Sequence, residues 1–147
     1  MGLDMYLTQR IWIGGEYEQR QAKGSVDITL GEPPEHIKIP ATKVSAILCR
    51  VGYWRKANQI HKWFVHNVQN GEDECREFYV SREQLAELKE LCEQALTTKD
   101  ASLLPTQEGF FFGNTEIDEG YWQDIEDTIK IISDLPEDGD FYYQSSW

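Results

Sequence analysis

A block of aromatic, basic and amide side chains at residues 52–64 constrains the fold of this chain most. Its sequence is GYWRKANQIHKWF. Apolar residues recur there at helical spacing, which predicts a helix over residues 54–68 with one buried face. The buried positions would be Trp54, Ala57, Ile60, His61, Phe64, Val65 and Val68. A helix that only covers a core does not need so many hydrogen-bonding groups. The block therefore indicates a site for a flat or anionic partner.

The polar side of this predicted helix has two interpretations. Its members and neighbours are Arg55, Lys56, Gln59, Lys62, Trp63 and His66. Arginine and lysine beside an exposed indole would hold a phosphate and stack a base. The alternative is a solvated face whose basic side chains cover apolar surface with their stems. For His61, at the margin of the buried face, the alternatives are a ligand contact and a satisfied core histidine.

The remaining patterns predict the α+β class, with a small antiparallel sheet and about three helices. Alternating apolar residues predict strands at 3–13, 26–30, 36–39, 76–80 and 141–143. Residues 44–51 fit a strand or a helix. Ser81 and Gln84 form a capping-box pattern ahead of an amphipathic helix. A third helix is expected at 118–133, and the glycine-bracketed run GFFFG at 109–113 predicts a buried strand.

Length and composition predict one compact domain over residues 1–147. The chain is 40% hydrophobic and has no apolar run near the roughly 20 residues that span a bilayer. Its first residues lack the basic and apolar regions of a signal peptide. We therefore expect a cytoplasmic protein without membrane association. The three cysteines form no CxxC pair, which disfavours a zinc site and a disulfide framework.

Charge is distributed unevenly along the chain. Residues 1–70 hold nine Lys and Arg against six Asp and Glu, or +3, and residues 71–147 hold five against twenty, or −15. Phosphate repulsion excludes non-specific nucleic-acid binding for such a chain. The acidic half fits a basic protein partner, or solubility alone. Opposite charges in the two halves also allow a homo-oligomer.

Catalytic signatures are missing from the sequence. It contains no GxSxG, HExxH, Walker or GxGxxG motif. We therefore predict no catalytic residue, no cofactor and no metal site, and we favour a binding protein over an enzyme. An enzyme that degrades a nucleotide, with His61 as acid or base, stays an alternative.

Several sequence blocks resemble a family of small proteins from bacteriophage and prophage genomes. The blocks are MGLDMY at the start, YWRKANQIH at 53–61, FYVS at 78–81, LLPT at 103–106 and GFFFG at 109–113. The resemblance implies an accessory phage protein, a class that often opposes host immunity. It also implies that residues 14–41 are a variable hairpin or loop insertion, and it implies no settled activity for the family.

The block at residues 52–64 and the resemblance to phage proteins together predict a phage anti-defence protein. It would act in the host cytoplasm and sequester a small nucleotide immune signal without catalysis. The alternative is an acidic inhibitor that binds a basic nucleic-acid-binding surface of a host defence protein. The candidate ligand-binding residues are Tyr53, Trp54, Arg55, Lys56, Asn58, Gln59, His61, Lys62, Trp63, Phe111 and Asn114. Of these, Arg55 and Lys56 are expected at phosphate, and Trp54 or Trp63 at the base.

Overall fold

The described part of the chain contains three α-helices and two small antiparallel sheets, which confirms the predicted α+β class. The computed structural model describes residues 2–14 and 22–147. The elements in chain order are β1 (Asp4–Trp12), β2 (Ser25–Leu30), β3 (Glu35–Pro40), β4 (Ala46–Arg55), α1 (Asn58–Asn67), β5 (Phe78–Val80), α2 (Arg82–Thr98), α3 (Glu119–Ser133) and β6 (Asp140–Ser146). No helix in the described ranges is long and apolar enough to cross a membrane.

Backbone contacts divide the chain into two compact units, residues 1–9 with 50–147 and residues 10–49. The smaller unit contains the hairpin of β2 and β3, in which Val26 pairs with Ile39 and Ile28 with Ile37. The predicted strands at 26–30 and 36–39 are therefore confirmed. The predicted insertion at 14–41 falls in this unit, and residues 15–21 of it lie outside the described residues.

The four-stranded sheet has the order β4-β1-β6-β5. Met5 and Leu7 of β1 are fully buried, as alternation along a strand predicts for one face. Phe141 and Tyr143 of β6 are buried with them. The ring of Tyr143 stacks on Phe64 of α1 at 3.9 Å between centroids. Aromatic packing between sheet and helix thus forms the centre of the core.

The start of the predicted 54–68 helix is wrong. β4 continues through Arg55, and α1 begins only at Asn58. Lys56 N–H donates to the carbonyl of Leu3, the residue before β1, at 2.8 Å. Backbone pairing between these two segments therefore continues one residue past the end of β4. Trp54 is buried because it shares the inner face of β4 with Gly52, and not because of helical spacing.

The predicted buried strand at 109–113 is also wrong. This run is a turn, in which Phe112 N–H donates to the Gly109 carbonyl at 3.2 Å. Phe110 is 93% exposed, whereas Phe112 is buried. Three consecutive phenylalanines predict burial only if the chain is extended, and here it turns back on itself.

Candidate functional site

A cleft of about 240 Å³ lies where α1 begins, beside the turn at 109–113 and the first turns of α3. Its lining is about equally polar and apolar and carries charges of both signs. The lining residues are Arg55, Lys56, Asn58, Gln59, Thr106, Gly113, Asn114, Glu116, Asp118, Gly120, Tyr121 and Asp124. Five predicted site residues therefore line one cleft: Arg55, Lys56, Asn58, Gln59 and Asn114.

Lys56 joins β4 to α1 with its backbone in the left-handed region, at φ 59°. That conformation costs an L-residue with a side chain roughly 1–2 kcal/mol, and glycine is the residue that usually adopts it. Gly113 packs against the lysine stem, since a Cβ on Gly113 would lie 3.2 Å from Lys56 Cβ. A lysine at this position thus costs stability, and the residue lines the cleft.

Arg55 is exposed and forms an ion pair with a surface carboxylate. Its Nη1 lies 3.4 Å from Asp4 Oδ1, and Tyr53 Oη donates to the same oxygen at 2.5 Å. This hydrogen bond to Asp4 raises the pKa of the Tyr53 phenol. Exposed ion pairs contribute little to stability, so an anionic ligand can compete with Asp4 for Arg55.

Asn58 braces the loop that forms one side of the cleft. Its Nδ2 donates to the carbonyls of Phe112 at 3.1 Å and Asn114 at 2.8 Å. Its Oδ1 accepts from Gln107 N–H at 3.0 Å. The side chain is 2% exposed. Its amide is therefore committed to holding the loop, although the residue lines the cleft.

Gln59 connects α1 to α3. Its Nε2 donates to the Tyr121 carbonyl and to Asp124 Oδ2, each at 3.2 Å. A second link runs through the core, where Trp54 Nε1 donates to Thr128 Oγ1 at 2.9 Å. These three hydrogen bonds hold α3 against the start of α1, through Gln59, and against β4, through Trp54.

Three carboxylates line the cleft in addition to the predicted residues: Glu116, Asp118 and Asp124. The pKa of Asp124 is raised to about 6, mainly by burial; the Gln59 hydrogen bond lowers it, and the charges of Asp127 and Asp118 raise it. Asp118 caps α3 by accepting from Tyr121 N–H at 3.0 Å. The sequence signals an acidic start of α3, but does not show that it faces residues 55–59.

His61 is a satisfied core histidine. It is fully buried, and its Nδ1 lies 2.7 Å from Tyr143 Oη and its Nε2 3.0 Å from Asp73 Oδ2. Burial lowers the pKa of His61, and the Asp73 carboxylate partly opposes this effect. His61 is not among the residues that line the cleft.

Five other predicted site residues lie outside the cleft lining: Tyr53, Trp54, Lys62, Trp63 and Phe111. Trp54 and Trp63 belong to the hydrophobic core and are 3% and 8% exposed. Lys62 Nζ donates to the Thr106 carbonyl at 3.4 Å. The stacking role expected for Trp54 or Trp63 therefore has no counterpart in the cleft.

A second depression of about 640 Å³ adjoins the cleft and shares Gly113, Asn114 and Glu116 with it. Within the described residues, no group of three or more His, Cys, Asp or Glu side chains is arranged to hold a metal ion. Comparisons with known protein families, with curated proteins and with solved structures found no match to this chain.

Proposed function

We propose that this protein binds a small nucleotide in the cleft and retains it without chemical change. The observation that carries the proposal is that Arg55 and Lys56 both line a cleft to which amide and carboxylate side chains also contribute. A guanidinium and an ammonium are the side chains that bind phosphate, the first through bidentate hydrogen bonds and the second as a point charge. In the phage setting that the resemblance implies, retention would remove a nucleotide immune signal in the host cytoplasm.

The backbone at Lys56 supports this assignment. A left-handed non-glycine residue is unfavourable, and such residues cluster at functional sites. Glycine would fit the φ of 59° better than lysine does. The presence of lysine at this position therefore points to a use for its side chain.

The environment of His61 supports binding over catalysis. A general acid or base must lie within hydrogen-bond reach of the reacting group. His61 is fully buried, and both ring nitrogens already have partners. It therefore has no free nitrogen to offer a ligand in the cleft.

The size of the cleft favours a ligand of about one nucleotide. Pockets for drug-sized ligands are typically about 300–1,000 Å³, and this one holds about 240 Å³. A larger signal, such as a cyclic dinucleotide, would extend into the adjoining depression lined by Glu108, Gly109 and Thr115.

The test is a retention-and-release assay. The purified protein is incubated with nucleoside monophosphates, cyclic dinucleotides and cyclic ADP-ribose isomers, filtered free of unbound compound, and heat-denatured. The released compounds are then identified by chromatography and mass. We expect one class to be recovered intact. A converted compound would indicate an enzyme, and no retention of any compound would refute the proposal.

Two variants assign the phosphate site. Arg55→Ala and Lys56→Ala should each abolish retention while the circular dichroism spectrum stays unchanged. Lys89→Ala is the matched control, because Lys89 lies on α2, pairs with Glu93 and does not line the cleft. Retention by Arg55→Ala at the wild-type level would refute the phosphate role of this residue.

The second candidate is an acidic inhibitor of a basic host protein. It is favoured by exposed glutamates along α2, at positions 83, 87, 90 and 93. Its complex would dissociate steeply with added salt, because such contacts are screened. Loss of binding on reversing these four charges, with nucleotide retention absent, would favour it over the nucleotide proposal.

A further inference from the structure

The charged groups that line the cleft are of two kinds with different origins. Arg55, the last residue of β4, and Lys56, which follows it, can only donate. The carboxylates of Asp118 and Asp124, at the start of α3, can only accept when ionised. A ligand that satisfies both must carry an anionic group and also N–H donors.

Gln59 belongs with the acceptors, although a free glutamine offers both kinds of group. Its Nε2 is already used by the Tyr121 carbonyl and by Asp124 Oδ2. Gln59 Oε1 and Asp124 Oδ1 receive no hydrogen bond from any residue in the ranges 2–14 and 22–147. The glutamine is 2% exposed and lines the cleft, so the cleft is where a ligand would reach this acceptor.

Resting on the proposed function, we propose that the cleft selects a guanine nucleotide, with Asp124 and Gln59 accepting from the base and Arg55 and Lys56 binding the phosphate. The Watson–Crick edge of guanine presents two adjacent donors, N1–H and the N2 amino group. One carboxylate accepts both in parallel, and charge-assisted hydrogen bonds of this kind are the strong ones. Gln59 Oε1 is then placed to accept the second hydrogen of the amino group.

The other bases fit an acceptor-only surface less well. Adenine and cytosine each place an acceptor nitrogen beside their amino group, and uracil flanks its single N–H with two carbonyls. Each would bring an acceptor against the Asp124 carboxylate or the Gln59 oxygen. A polar group left unpaired in this way is what rejects a near-isosteric ligand.

The test measures equilibrium binding of GMP, IMP, XMP and AMP by calorimetry. IMP lacks the N2 amino group, and XMP carries a carbonyl in its place. We expect GMP to bind roughly ten- to a hundredfold more tightly than IMP, and AMP and XMP to bind more weakly still. These comparisons use the wild-type protein, so they do not depend on the folding of a variant.

The variant Asp124→Asn is the second test of the guanine assignment. The asparagine offers one acceptor and one donor, so the preference for GMP over XMP should be lost or reversed. Asp127→Asn is the matched control: it removes the same charge from α3, but Asp127 is exposed, bonds to Gln123 Nε2 and does not line the cleft. It should keep the guanine preference.

The outcomes separate this inference from the proposed function. Equal binding of the four nucleotides, or a guanine preference that survives Asp124→Asn, overturns the base assignment and leaves nucleotide binding standing. Failure to bind any nucleotide in this panel or in the retention assay overturns both.

Discussion

Lys56 is the residue at which stability and function make opposite demands. Its left-handed φ of 59° favours glycine, whereas the proposed phosphate contact requires the ammonium. Lys56→Gly should therefore raise the free energy of unfolding by about 0.5–1 kcal/mol, once the greater unfolded-state entropy of glycine is allowed for. Nucleotide retention should be lost. Urea unfolding and the retention assay measure the two effects.

Lys99 provides the matched control for this substitution. It has a φ of 54° at the C-terminal end of α2 and does not line the cleft. Its Nζ lies 4.6 Å from the Trp122 ring centroid, and the loss of this contact offsets part of any stability gained. Lys99→Gly should leave retention unchanged. A Lys56→Gly protein that is less stable than wild type would argue against backbone strain at Lys56.

The loop between the short 3-10 helix Ala101–Leu103 and α3 depends on one side chain of α1 for much of its order. Asn58 bonds to three backbone groups of this loop and is almost fully buried. Asn58→Ala should lower the free energy of unfolding by about 2–4 kcal/mol, because it leaves buried loop groups without partners. It should also increase amide exchange across residues 105–117, which hydrogen-exchange mass spectrometry resolves.

Asn67 is the control within the same helix. Its Nδ2 donates to the Trp63 carbonyl at 2.8 Å, a bond within α1, and the residue is exposed. Asn67→Ala should cost less than about 1 kcal/mol and leave exchange in the loop unchanged. Equal protection of the loop in Asn58→Ala and wild type would contradict the bracing role.

The stability of the whole molecule should depend on pH through His61, a buried histidine of α1 that contacts Tyr143 of β6. Because burial holds the pKa of His61 below 6.5, the unfolded chain binds this proton more readily than the folded chain. The stabilising contribution is therefore present above pH 6.5 and is lost as pH falls from there toward the folded pKa. His61→Gln does not titrate, so wild type should lose more stability than this variant between pH 7.5 and 5.5.

Asp124 has the opposite effect on the pH dependence of stability over part of the range from pH 7.5 to 5.5. Its pKa of about 6 exceeds the ordinary 3.8, so the folded chain is the stronger proton binder between these values. Its effect therefore favours the folded state on acidification. Measuring urea unfolding of wild type, His61→Gln and Asp124→Asn at each pH separates the two contributions. Equal pH slopes for wild type and His61→Gln would contradict the histidine assignment.

Local patterns in the sequence were sufficient for α2, α3 and the hairpin of β2 and β3. The capping box at Ser81 and Gln84 forms as predicted, with Ser81 Oγ accepting from Gln84 N–H at 3.1 Å. Asp118 caps α3 in the same local way, one residue before the helix begins at Glu119. These features depend on residues within a few positions of one another, so helical or strand periodicity and capping chemistry are enough to predict them.

The end of β4 and the composition of the cleft depend on contacts between distant parts of the chain. Arg55 is extended because the N–H of the next residue, Lys56, donates to the Leu3 carbonyl. The apolar periodicity within 54–68 does not depend on Leu3 and so could not predict this bond. Gln59 and Asp124 are 65 positions apart and meet only when α1 packs beside α3. The chemistry of residues 53–61 could be recognised from their types alone. Which of them enter the core and which line the cleft follows from long-range pairing, because an inward-facing position exists only once its partner element is in place.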